Sequence, residues 1–112
     1  MAKNIANKDA TIAISGTVSD NITVPSGTTL LGIFLPAGMT GTSLSFKAGA
    51  DASTTPIDIA PANTLYSITV GATAKYYPVV SDHFQGVQYL QVVSGTAEAA
   101  ARTITLVFGK LE

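Results

Sequence analysis

Residues 29–48 read TLLGIFLPAGMTGTSLSFKA, two apolar runs joined by a Pro/Gly turn, and the patterning of those runs decides the fold. In the second run Leu44, Phe46 and Ala48 alternate with Ser43, Ser45 and Lys47, the period of two that marks a strand with one buried face. The first run is apolar on both sides. Leu31, Ile33 and Leu35 point one way and Leu30 and Phe34 the other, as in a strand that lies centrally or is half buried against a partner. PAGMTGT between them is turn chemistry.

Working outward, the same grammar repeats. ATIAISGTV (10–18) sets Ala10, Ile12 and Ile14 against Thr11 and Ala13, and NITV (21–24) follows before PSGT turns the chain. IDIA (57–60), LYSITV (65–70), KYYPVV (75–80), GVQYLQVV (86–93) and RTITLVF (102–108) complete the set. Pro78 cannot donate to a ladder and places KYYPVV at a sheet edge or in an extended connection. About eight short strands at this spacing, with no pair of long helical segments to cross over between parallel strands, predict an all-β, antiparallel β-sandwich. The chain of 112 residues has room for one domain, assigned to 10–112. The weakly patterned residues 1–9, with two lysines, are read as an N-terminal extended arm ordered by a neighbour.

One run resists the pattern. In SGTAEAAARTITLVF (94–108), residues 97–102 are good helix formers placed between two strands. Six residues fall short of the roughly 12 at which an isolated helix becomes marginal. The expectation is a connection holding one helical turn, with Thr96 as its cap and Glu98 pairing with Arg102 for about 0.2 to 0.5 kcal/mol.

Charged residues make up 12% of the chain, against about 25% in ordinary domains, and the formal net charge is -1. The six cations, Lys3, Lys8, Lys47, Lys75, Arg102 and Lys110, are scattered, which argues against nucleic acid and against an anionic membrane as partners. No charge occurs from Asn21 to Phe46. Fifteen Thr and nine Ser supply the polarity instead, a composition suited to a surface packed against neighbours. Cysteine is absent, which removes disulfides, thiolate metal sites and cysteine nucleophiles. The longest apolar stretch, Leu30 to Met39, is shorter than the roughly 18 residues of a membrane span, and no secretory signal is read at the N-terminus.

Catalytic and metal constellations are not found, and no cofactor or enzymatic activity is expected. Ser81, Asp82 and His83 have the residue types of a hydrolase triad, but sequence neighbours do not converge as nucleophile, base and orienter, so they read as a polar loop before Phe84. His83 is the only histidine, Asp51 lacks the regular carboxylate spacing of a calcium loop, and Asp58 between isoleucines should face solvent or an interface. NIT (21–23) matches a glycosylation acceptor with no secretory context to support it. Tyr76, Tyr77, Phe84 and Tyr89 cluster within fourteen positions, as core, as a protein contact or as a sugar-stacking platform.

The phrases ITVPSGTTLLGIFLPAGMTGTSLSFKAGADASTTPIDI and ITVGATAKYYPVVSDHFQGVQYLQVVSGTAEAAARTITLV, spanning about Ile22 to Val107, resemble small virion proteins of tailed bacteriophages, most of all the capsid decoration (cement) proteins. The resemblance implies a jelly-roll-like sandwich, made in the host cytoplasm and carried on the virion, that binds the outside of the capsid and staples neighbouring major capsid subunits. It also implies a homo-oligomer, dimer or trimer, and no catalytic residues. Lys3, Asn4, Ile5, Leu30, Phe34, Tyr76, Tyr77 and Phe84 are the expected interface residues. A head–tail or fibre adaptor of the same virion is the alternative within that class, and a small carbohydrate-binding sandwich module the alternative outside it.

Overall fold

A computed structural model describes residues 2–51, 53 and 55–111, with the side chains of 2–5, 62 and 111 outside the description. Its strands are β1 (Ala2–Ile12), β2 (Ile22–Thr23), β3 (Thr29–Leu35), β4 (Ser43–Gly49), β5 (Ile57–Asp58), β6 (Ser67–Thr69), β7 (Lys75–Pro78), β8 (Tyr89–Ser94) and β9 (Arg102–Leu111). Two antiparallel sheets form, one in the order β1-β9-β3-β7 and one in the order β2-β8-β4-β5, with β6 also on β4. The pairing is nested: first strand with last, second with eighth, third with seventh, fourth with fifth and sixth. A long hairpin rolled up on itself gives this order, the double-sheet jelly roll. The expected all-β sandwich is the fold observed.

Alternation buries one face of each sheet. Ala10, Ile12, Ile33, Leu35, Ile104, Leu106 and Phe108 from the first sheet meet Ile22, Leu44, Phe46, Leu90 and Val92 from the second in one core. Phe84 closes it from a 3-10 turn, Ser81–Phe84, meeting Phe46 edge-on at 5.1 Å between ring centroids. Removing a buried Phe of this kind costs about 3–5 kcal/mol.

The structure departs from strict alternation at two places. The β3–β9 register shifts between Leu30 and Gly32, so Leu31 is the extra residue of a bulge. Leu30 therefore turns inward with Ile33 and Leu35, Leu31 is half buried, and Phe34 alone of the run is exposed. β1 begins at Ala2 and ends at Ile12, so Ile14, expected on the core side with Ala10 and Ile12, lies past the strand at 64% exposure. The segment assigned to an arm runs on as β1 along β9 of the same chain, with a second register shift between Asn4 and Ala6. Pro78 ends β7, which is an edge strand, as its missing donor requires.

Candidate docking surface: an uncharged end of the sandwich

Four connections, 13–18, 36–42, 70–74 and 95–101, cross between the sheets at one end of the roll. Backbone bonds tie them to one another. Ser15 N donates to Glu98 O at 2.8 Å and Glu98 N to Gly16 O at 3.0 Å, while Gly38 N reaches Ala72 O at 2.6 Å and Val70 N reaches Thr42 O at 2.9 Å. Their composition is Ala, Gly, Ser and Thr with a few larger apolar residues; the charged residue within these segments is Glu98, and Asp20, Lys75 and Arg102 flank them. That charge is hidden, at 1% exposure.

The Glu98 carboxylate is the hub of this end. Oε1 accepts from Thr40 N at 2.8 Å and from Arg102 Nε at 3.1 Å, and Oε2 accepts from Gly41 N at 2.9 Å and from the Ser94 hydroxyl at 2.7 Å. Burial is the largest single influence on its pKa and would raise it. Donation from Thr40, Ser94, Gly41 and Arg102 together outweighs that, lowering the value from 4.5 to about 2. A buried carboxylate needs such a shell of donors, since the ion's desolvation costs several kcal/mol. The donors come from the 36–42 loop, the end of β8 and the start of β9, so satisfying the charge ties the 36–42 loop to the 95–101 connection.

The Ala-rich run is bent by this arrangement. No helical turn forms over 97–102, because Glu98 spends its backbone N–H and C=O on the 15–16 loop and Ala99 N donates to Thr40 Oγ1 at 3.0 Å. The Glu98–Arg102 pair exists at i,i+4, yet as part of a buried cluster and not as a surface pair on a helix. Thr96 does not cap a helix. With the carboxylate turned inward, Ala97, Ala99, Ala100 and Ala101 turn outward, beside Ala13, Ile14 and Val18. Ser15 adopts φ 66°, a left-handed backbone uncommon outside glycine, and so holds Ile14 at the rim.

The residues expected at an interface are dispersed. Leu30 and Phe84 are each 1% exposed and belong to the core, Leu30 through the bulge and Phe84 through the 3-10 turn that drives it inward. Tyr77 is half buried against the core, and its Oη accepts from Gly71 N at 2.9 Å. The side chains of Lys3, Asn4 and Ile5 lie outside the described residues. Phe34 and Tyr76 are brought together, directly opposite each other on the outer face of the four-stranded sheet. Ile14, Val18 and the alanines are the exposed residues that the sequence reading passed over. The signal for them was available: four separate turn segments carry a single charge, Glu98, between them.

Among the described residues no other cluster gathers chemistry. Ser81, Asp82 and His83 follow one another around a 3-10 turn, and the His83 ring packs on Tyr66 at 5.0 Å between centroids. Among the described residues no group of three His, Cys, Asp or Glu side chains could hold a metal ion, and no helix is long and apolar enough to cross a membrane. No family model matches the chain, and no curated protein matches it.

Proposed function

We propose that this chain is a decoration protein of a tailed-bacteriophage capsid, docking on major capsid subunits through the uncharged end of its jelly roll. The observation that carries the reading is that end itself: four cross-connected loop segments, 13–18, 36–42, 70–74 and 95–101, whose one internal charge is buried, rimmed by Ile14, Val18 and alanines, with Asp20 and Lys75 only at their margins. Interface cores are depleted in charge, whereas a surface that stays in water is normally laced with mixed charges. Rigid loops lose little entropy on docking, so a small apolar area yields more net affinity. Double-sheet jelly rolls recur in virion proteins, and although a fold does not fix a function, the architecture fits this use. Many copies on one shell act together, and the summed hold against internal pressure exceeds that of any one contact. Self-association as a dimer or trimer belongs to the same proposal.

Cosedimentation with capsids assembled without the protein tests it. The wild-type chain saturates such shells at a fixed number of copies, and Ile14→Asp, which places a charge at the rim, fails to bind while keeping the wild-type melting curve. A chain that remains in the supernatant at saturating concentration refutes the proposal.

A further inference from the structure

The outer face of the four-stranded sheet carries a feature that docking through the loop end does not use. Phe34 and Tyr76 stand opposite each other on β3 and β7, their ring centroids 4.7 Å apart and their planes tilted by 50°. They are 49% and 43% exposed. Tyr76 lies so close over Gly32 that a Cβ there would collide with the phenol, so the ring packs on the bare strand backbone. Covering a strand glycine accounts for Tyr76. It does not account for Phe34, whose half-exposed ring adds apolar surface where the neighbouring outward positions on β9, Thr103 and Thr105, carry hydroxyls.

The row continues across the sheet. Thr105 is opposite Phe34, Asp9 is opposite Thr105, and the Thr105 hydroxyl donates to Asp9 Oδ1 at 3.1 Å. Four strands at about 4.8 Å spacing make the row Asp9–Thr105–Phe34–Tyr76 roughly 14 Å long. One half of it offers aromatic faces and the other half a hydroxyl and an exposed carboxylate. It contains no cation. Such a surface is complementary to a neutral polyhydroxylated chain, whose C–H faces stack on rings and whose hydroxyls donate to a carboxylate. It is poorly matched to a phosphate or an acidic peptide.

We infer that the outer face of the four-stranded sheet is a binding platform for a neutral glycan, with sugar rings stacked on Phe34 and Tyr76 and sugar hydroxyls hydrogen-bonded to Asp9. The platform is built on strands and lies on the outer sheet face, beside the loop end assigned to docking, with Phe34 two residues before the 36–42 loop and Tyr76 two residues after the 70–74 loop. The inference rests on different residues from the capsid reading and stands or falls independently of it.

The test is an amide-resolved NMR titration of the full chain with maltoheptaose, cellohexaose and chitohexaose in turn. At least one of them shifts the amides of Asp9, Gly32, Phe34, Tyr76 and Thr105 saturably, and leaves residues 13–18 and 95–101 unmoved. Phe34→Thr, which keeps a strand-forming residue, weakens that binding by about tenfold, as expected for one lost aromatic contact. Asp9→Asn weakens it with the rest of the spectrum unchanged. If none of the three sugars moves these amides, or if Phe34→Thr binds as well as the wild type, the inference is overturned.

Discussion

The two ends of the roll draw on similar small residues and hold their loops in opposite ways. At the end with the uncharged loops, loops from four connections are cross-bonded, and the 36–42 loop, the end of β8 and the start of β9 converge on the Glu98 carboxylate. At the other end, the turn at 25–28 and the segment 85–88 are shaped mainly by local bonds, with Gly27 at φ 76° and Gly86 at φ 83°; they meet at their base where Val24 N donates to Gln88 O at 2.9 Å, and a cleft of about 640 Å³ stays open between the sheets. Lys110 lines that cleft and Asp51 lies in a loop nearby, so this end keeps charge at its surface. The difference shows how a protein can present an uncharged surface without letting it collapse. Turn chemistry alone leaves a gap, whereas an ion hidden beneath the loops ties 36–42 to 95–101, and backbone bonds carry the tie on to 13–18 and 70–74.

The largest effect expected from breaking this contrast is at Glu98. Glu98→Gln turns an amide donor toward groups that already donate and leaves Arg102 without its anion, a loss of about 3–5 kcal/mol in urea unfolding. Hydrogen exchange at Thr40 and Gly41 should rise with it. Acid probes the same hub without mutation. The folded-state pKa lies below the unfolded one, so the contribution is complete above about 4.5 and is lost as pH falls from there toward 2. The expected loss is about 3 kcal/mol, and a pH series of unfolding curves should show this acid limb in the wild type and a flattened one in Glu98→Gln.

The opposite end should respond more mildly. Gly27→Ala forces a side chain into left-handed backbone where there is open space around it, a cost of about 1 kcal/mol by thermal unfolding with no change in exchange at the docking end. Smallest in stability is Ile14→Ser, within about 0.5 kcal/mol of wild type because the side chain is exposed. Its effect is predicted in shell binding, where the loss of the rim residue weakens cosedimentation.

How far the sequence reveals these features depends on whether the signal is local. Period-two alternation in Ser43–Ala48 and Arg102–Phe108 is a property of neighbours, and those strands were readable. The bulge at Leu31 was not, because it depends on register against β9, and it reversed the side on which Leu30 was expected. The run 97–102 is helical by propensity, yet the partners that bend it are Ser15, Gly16, Thr40 and Gly41, far away in sequence. Phe34 and Tyr76 were both visible as candidates, but their pairing required the β3–β7 register. Loop charge, in contrast, was local in each segment and became meaningful only when the topology set four segments side by side.

Hydrogen–deuterium exchange of the protein, free and bound to shells assembled without it, tests the central claim most directly. Protection on binding is predicted at residues 13–18, 36–42, 70–74 and 95–101, with 25–28 and 85–88 unchanged. Protection confined to the cleft end, with the uncharged loops exchanging as in the free protein, would contradict it.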